Sequence, residues 1–120
     1  MSRILAVDDS PSMRQMVAFS LKAAGFDVVE AEDGVVALGL ARKEKFSLAI
    51  IDINMPNMDG MSLVRALRAE ADYKFTPLLM LTTEAAADRK QEGKAAGATG
   101  WIVKPFNPDQ LIATIKRVLG

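Results

Sequence analysis

The sequence predicts a single α/β domain in which a parallel β-sheet is covered by helices on both faces. The chain has 120 residues, which is close to the usual size of one domain, about 100–150 residues. Half of the residues are hydrophobic, enough for a core. Short apolar runs alternate with longer stretches of helical spacing, and parallel strands need such crossover connections. We place one domain over residues 1–120, with no output domain after it.

Five apolar runs, often of branched residues, have the length of buried strands. They lack the strict alternation of a half-exposed strand. We predict strands at residues 4–7, around 28–29, and at 48–51, 78–81 and 101–103.

The stretch after each strand has helical spacing. Ser10 and Pro11 suit an N-cap followed by proline at the first helical position, and Gly25 suits the end of the same helix. We assign its apolar face to Met13, Met16, Val17, Leu21 and Ala24. The last helix, entered through Asn107 and Pro108, has the clearest apolar stripe, formed by Leu111, Ile112, Ile115, Val118 and Leu119. Further helices are predicted at 34–44, 62–70 and 88–96, of which the last is rich in alanine and poor in large apolar residues.

Composition excludes several classes of function. Fifteen basic and fifteen acidic residues give zero net charge, which argues against binding to nucleic acid or to an anionic membrane surface. The chain has no histidine and no cysteine, so His-based catalysis, disulfides and Cys-ligated zinc are excluded. No stretch approaches the roughly 18 apolar residues of a membrane span, and the N-terminus is not a signal peptide. We therefore expect a cytoplasmic protein.

Polar residues stand where the predicted strands end. Strand one ends in Asp8 and Asp9, strand three in Asp52, strand four in Thr82 and strand five in Lys104. In open parallel sheets the ligand site lies outside the carboxyl ends of the strands. We therefore expect three carboxylates, a hydroxyl and an ammonium to converge at one edge of the sheet.

Each of these residues also has a simpler explanation. Adjacent aspartates after a strand are often turn or capping residues, Asp52 could merely start a loop, Thr82 could be an ordinary strand residue, and Lys104 could be a solvated charge. Clustered together, however, three carboxylates repel one another, and a magnesium ion with oxygen ligands relieves that repulsion. Such an ion neutralises a phosphoryl group, which a carboxylate can accept as an aspartyl-phosphate.

Four sequence motifs identify a family. The segments VDDSPSMR, DINMPNMDG, LTTEA and GATGWIVKPF closely resemble those of response-regulator receiver domains, among them the stand-alone chemotaxis regulators. The resemblance covers the whole chain. It implies a doubly wound (βα)5 flavodoxin-like sandwich of three layers, with a parallel sheet of strand order 2-1-3-4-5.

The resemblance also implies a role for each site residue. Asp52 is implied to be the phosphoacceptor. Asp9 and Asp52 are implied to bind Mg²⁺ through their carboxylates, Asn54 through its backbone carbonyl, and Asp8 through the outer shell.

Further residues are implied to act on the phosphoryl group or to transmit its effect. Lys104 contacts the group, Thr82 moves to bond it, and Asn54 and Glu84 tune the hydrolysis of a short-lived aspartyl-phosphate. Trp101 stands where the family usually has Tyr or Phe. It is either a switch residue coupled to Thr82 or a fixed packing residue.

As a whole, the resemblance implies a single-domain response regulator that receives its phosphoryl group from a histidine kinase. It would be an enzyme only in its own phosphorylation and dephosphorylation, and we expect a monomer. The surface of helix 4, strand 5 and helix 5 is implied to bind a downstream protein, in chemotaxis the flagellar switch. The charged helix at 88–96 could instead be a solvated face. The alternatives are a non-chemotaxis phosphorelay, a receiver that signals without phosphate, and a small Mg²⁺-dependent phosphohydrolase.

Overall fold

Strands and helices alternate along the chain. The computed structural model describes residues 2–53, 55, 57–82, 87–104 and 106–119. Within them the strands are β1 (Arg3–Val7), β2 (Asp27–Ala31), β3 (Leu48–Asp52), β4 (Leu78–Thr82) and β5 (Gly100–Val103). The helices are α1 (Pro11–Ala23), α2 (Gly34–Lys43), α3 (Gly60–Ala69), α4 (Ala87–Ala96) and α5 (Pro108–Leu119), with a 3₁₀ turn at Ala71–Tyr73.

The five strands form one parallel sheet in the order β2-β1-β3-β4-β5. This confirms the doubly wound fold and the strand order. The strands β3 and β4 are buried throughout, and only Arg3 is exposed in β1. The prediction of five buried strands is wrong for β2 and β5, whose residues are mostly half-buried or exposed. These two strands lie at the edges of the sheet, so only one side of each is paired.

Two apolar clusters cover the two faces of the sheet. Along β1, Leu5 and Val7 belong to a cluster with side chains of α2 and α3, whereas Ile4 and Ala6 belong to a second cluster with α1 and α5. Alternate residues of a strand point to opposite faces. The chain is therefore a three-layer sandwich, as predicted.

The ends of α1 confirm the predicted capping residues. Ser10 Oγ accepts a hydrogen bond from the Met13 N–H at 3.3 Å, and Pro11 occupies the first turn. At the other end, Gly25 has a φ of +95°, a conformation that glycine adopts without steric cost. The N–H groups of Gly25 and Phe26 donate to the carbonyls of Lys22 and Leu21. These two bonds form a Schellman motif.

The apolar face of α1 is only partly as predicted. Its buried residues are Val17, Ala18 and Leu21, whereas Met16 is 55% exposed. Successive residues of a helix are about 100° apart, so Met16 is turned away from the stripe that Val17 and Leu21 form. Ala24 is the C-cap of the helix and is half-buried.

Three other helices fit their predicted ranges within two residues. Helix α3 starts two residues before the predicted position, because Asp59 Oδ1 accepts the Ser62 N–H at 2.8 Å and caps the helix at Gly60. Helix α5 buries Leu111 and Ile115 as predicted. In the part of the chain that the structure describes, no helix has the length and apolar character needed to cross a membrane.

Candidate functional site

Three carboxylates meet at the carboxyl edge of the sheet, as the strand ends predict. Asp8 and Asp9 follow β1, and Asp52 is the last residue of β3. Carboxylate oxygens of all three lie within 4.8 Å of one another. Asp8 and Asp52 are 2% and 6% exposed, whereas Asp9 is exposed. The cluster therefore combines two buried carboxyl groups with one that faces solvent.

Lys104 connects β5 to this cluster. Its Nζ donates a hydrogen bond to Asp52 Oδ1 at 2.9 Å and lies 3.3 Å from Asp8 Oδ2. Only 13% of its side chain is exposed. The backbone N–H of Lys104 donates to the carbonyl of Thr82 at 2.6 Å, so β4 fixes the point at which the lysine leaves the sheet. The solvated alternative for Lys104 is excluded.

The surroundings of these groups change their affinity for protons. Burial raises the pKa of Asp52 above the ordinary value of 3.8, and the charges of Asp8 and Asp9 raise it further, against the opposing effect of Lys104. Burial by itself would lower the pKa of Lys104. The hydrogen bond and charge of Asp52, together with the charge of Asp8, outweigh this, so the pKa of Lys104 lies above 10.5. Lys104 is thus protonated at neutral pH and holds a positive charge beside Asp52.

Two further residues, which the sequence did not indicate as part of the site, hold Asp8 in place. The Ser10 N–H donates to Asp8 Oδ1 at 2.9 Å, and Arg14 Nη1 donates to the Asp8 carbonyl at 2.7 Å. Arg14 also forms an ion pair with Glu30, the residue before the last of β2. A basic residue in the first turn of the helix after an acidic strand end was the available signal for Arg14, but nothing local showed that it turns back to the strand.

The site suits a hard divalent cation. Asp8 Oδ2 is buried and lies 3.3 Å from the Lys104 ammonium, but it accepts no well-formed hydrogen bond from the described residues, although a buried carboxylate oxygen normally has such partners. Asp9 and Asp52 offer oxygens nearby, and Mg²⁺ prefers oxygen ligands of this kind, with water completing its shell. Asn54, which the resemblance implies as a backbone ligand, lies outside the described residues, as does Glu84.

Thr82 and Trp101 lie on the neighbouring strands β4 and β5. Thr82 ends β4, is 8% exposed and pairs with Val103. The Trp101 side chain is half-buried and packs against the cluster on the α2 and α3 face. Its indole lies over Gly93 of α4, so closely that a Cβ on Gly93 would stand well inside 3.0 Å of the outer ring carbons. Nothing in the sequence around Gly93 indicates this contact, because the indole belongs to β5, which follows α4 in the chain.

The comparisons with known proteins agree with this geometry. The sequence model of the family described as "Response regulator receiver domain" matches residues 4–116. The chain is 39% identical to the chemotaxis protein CheY of Pseudomonas aeruginosa over 117 residues, which are 97% of this chain and 94% of that protein. It is 41% identical to the chemotaxis protein CheY-3 of Vibrio cholerae, with 98% and 88% covered.

Solved structures extend the comparison. The chemotaxis protein CheY4 of Vibrio cholerae has a TM-score of 0.96 and 56% identity, with 98% of both chains covered. The receiver domain of the sensor histidine kinase PA1611 from Pseudomonas aeruginosa has a TM-score of 0.93 and 27% identity, with 99% and 98% covered. The structure of that receiver domain is described with a magnesium ion coordinated in the active-site cleft.

Proposed function

The chain belongs to the response regulator receiver domains, and on this premise we propose that it is a phosphoacceptor switch in which Asp52 takes up a phosphoryl group. One observation carries the proposal. A buried carboxylate at the end of β3 stands beside the half-buried ammonium of Lys104 and within 4.8 Å of two further carboxylates. We propose that residues 1–120 form one receiver domain.

In the proposed reaction a carboxylate oxygen of Asp52 attacks the phosphorus of a phosphohistidine on a histidine kinase. The new O–P bond forms as the P–N bond breaks, and the imidazole leaves with a proton from solvent. Mg²⁺, when bound by Asp9, Asp52 and the backbone carbonyl of Asn54, would neutralise charge on the phosphoryl oxygens. Asp8 would act on the outer shell, where its buried Oδ2 can accept from a bound water.

We propose that Lys104 stabilises the negative charge of the site both before and after this reaction. Before transfer it neutralises Asp52, 2.9 Å away. After transfer the Asp52 carboxyl group, now part of an acyl phosphate, carries no charge, and the negative charge resides on the phosphoryl oxygens, where the ammonium can form a new contact. Thr82, at the end of the adjacent strand, would donate its hydroxyl to a phosphoryl oxygen. Contacts made in only one state bias a two-state equilibrium.

The state of the site would be transmitted through Trp101 to the surface of α4, β5 and α5, which we propose as the docking site for a downstream protein. Asn54 and Glu84 are proposed to tune hydrolysis, in which water attacks phosphorus and restores the Asp52 carboxylate. Chemotaxis, with the flagellar switch as partner, is the proposed pathway, because relatives over nearly the whole chain are chemotaxis proteins. We further propose a cytoplasmic monomer.

Intact mass after treatment with Mg²⁺ and acetyl phosphate tests the chemistry. We expect one phosphoryl adduct on the wild type and none on Asp52→Asn. An adduct that persists in this variant would show that another residue is the acceptor. Omission of Mg²⁺ should strongly reduce the adduct.

Two further assays separate the alternatives. Repeated turnover of a phosphomonoester would favour the phosphohydrolase, whereas the proposed switch does not turn it over. Restoration of soft-agar spreading in a motile bacterium that lacks its own chemotaxis regulator would support the chemotaxis pathway, and the Asp52→Asn variant is the matched control.

A further inference from the structure

The loop that follows Asp52 is tied to the start of α2 by a single carboxylate. Asp33 Oδ1 accepts the Val36 N–H at 2.9 Å and so caps α2. Asp33 Oδ2 accepts a hydrogen bond from Asn57 Nδ2, also at 2.9 Å. Asp33 is only 8% exposed. The bonds from Val36 and Asn57 lower the pKa of Asp33, so the carboxylate is charged at neutral pH and is a strong acceptor.

A second contact joins the same loop to the same helix. A Cβ on Gly34 would lie 2.6 Å from the carbonyl oxygen of Met58 and 2.8 Å from its side-chain carbons, so Met58 is in close contact with the first residue of α2. Asn57 has a φ of +67°, a left-handed conformation in which asparagine is enriched. The described end of the loop is therefore held in a specific conformation.

The other side of the loop is fixed to the sheet. The Ile53 N–H donates to the Leu81 carbonyl at 3.2 Å, and the Gly60 N–H donates to the Ile53 carbonyl at 2.8 Å. The loop thus has a base on β3 and β4 and a tip on α2. The bond between Asp33 and Asn57 is the link at the tip that depends on two side chains.

We infer that Asp33 and Asn57 are positioning residues for the phosphoacceptor site, because their hydrogen bond holds the loop that follows Asp52 against α2. The inference rests on the proposed function: Asn54, the proposed backbone ligand of Mg²⁺, stands three residues before Asn57 in the sequence. Neither side chain needs to touch the ion or the phosphoryl group. Groups that are hydrogen-bonded directly to metal ligands typically change metal affinity about 10–100-fold when they are replaced, and we expect the lower end of this range for a link three residues from the ligand.

Two substitutions remove the link with little other change. In Asp33→Ser the serine hydroxyl still caps α2, since serine is a good N-cap, but the second acceptor is lost. In Asn57→Gly the left-handed conformation is kept, but the amide donor is lost. Asp72→Ser is the control for the loss of a carboxylate, because its side chain is 79% exposed in the 3₁₀ turn.

Hydrogen exchange and calorimetry then test two separate steps. We expect faster amide exchange over residues 53–60 in both variants, and Mg²⁺ affinity lower by about tenfold, with neither change in the control. The double variant should resemble the single ones, because both substitutions break one bond. In thermal unfolding the single and double variants should lose a similar, small amount of stability, because each lacks the same charge-assisted hydrogen bond.

Each outcome bears on a different claim. Unchanged exchange in Asp33→Ser and Asn57→Gly would refute the link itself. Faster exchange with unchanged Mg²⁺ affinity would refute the positioning role. A wild type that binds no Mg²⁺ and accepts no phosphoryl group would refute the proposed function together with that role, and exchange would still decide whether the link exists.

Discussion

The contact between Trp101 and Gly93 gives the sharpest prediction about the coupling between β5 and α4. In Gly93→Ala the new methyl group would stand well inside 3.0 Å of the indole ring, with Met61 Cε a further 3.4 Å neighbour. Alanine is favoured over glycine by about 0.8–1.0 kcal/mol within a helix. An extra methyl in a packed contact costs about 1–3 kcal/mol. The two effects oppose each other, and we expect a net loss of up to about 2 kcal/mol in the free energy of unfolding.

Gly39→Ala is the matched control. Gly39 lies inside α2, is exposed, and an added Cβ there meets no atom within 4 Å. It should therefore gain the helix term alone, about 1 kcal/mol. The difference between the two variants isolates the cost of the clash, which we expect to be about 1–3 kcal/mol.

Urea unfolding and tryptophan fluorescence measure this prediction. Trp101 is the only tryptophan, so a red-shifted emission in Gly93→Ala would report an indole displaced toward solvent. The clashing atoms belong to the outer ring of the indole, which phenylalanine lacks. Trp101→Phe should therefore remove most of the added cost in the double variant. Equal stabilisation by Gly93→Ala and Gly39→Ala, with unchanged emission, would refute the packing of Trp101 on α4.

Three further substitutions test the electrostatic and hydrogen-bonded parts of the fold. The pKa of Asp52 is raised in the folded state, so Asp52 contributes stability below pH 3.8 that is lost as the pH rises through the folded pKa. Asp52→Asn should therefore be more stable than the wild type at pH 7 by about 0.5–2 kcal/mol. A stability difference between the two proteins that stays constant down to pH 3 in urea titrations would contradict this. Arg68→Met should lower the free energy of unfolding in urea by about 2–4 kcal/mol, because the guanidinium donates to the carbonyls of Tyr73, Thr76 and Gly97. A loss below 1 kcal/mol would show that these hydrogen bonds do not stabilise the fold as expected. Tyr73→Phe should lose about 1–2 kcal/mol in the same assay, because its hydroxyl lies 2.8 Å and 2.7 Å from two backbone carbonyls that it can bond, whereas Phe75→Ser, at a 94% exposed position, should be neutral.

Local sequence signals were sufficient to predict the strands and helices and the residues at the centre of the site. Ser10, Pro11 and Gly25 mark the ends of α1 through backbone requirements that each residue meets on its own. The carboxylates and Lys104 could be placed together because the carboxyl ends of parallel strands share one edge. The strand order itself came from the family resemblance, since alternating strands and helices are compatible with more than one order.

The residues that the sequence did not reveal act between distant elements. Arg14, Arg68 and Gly93 each contact a segment other than their own helix, and no spacing within the helix marks such a partner. Met16 was misplaced for a related reason. The exposure of Met16 depends on which face of α1 packs against the sheet. Apolar residues stand on both sides of the buried stripe, so the sequence alone does not determine that face.

Helix α4 shows why the residues of the candidate site are easier to predict from the sequence than those of the proposed docking surface. Among its residues with described side chains, the buried ones are small, Gly93 and Ala96. Large groups from outside cover it instead: the Trp101 indole lies on Gly93, and the Arg68 side chain lies where a Cβ on Gly97, just after the helix, would stand. The position of α4 is therefore set by β5 and α3 more than by its own sequence. A change at Thr82 or Lys104 that moves β5 would consequently move the support of α4, and we propose that the switch is coupled to the docking surface through Trp101.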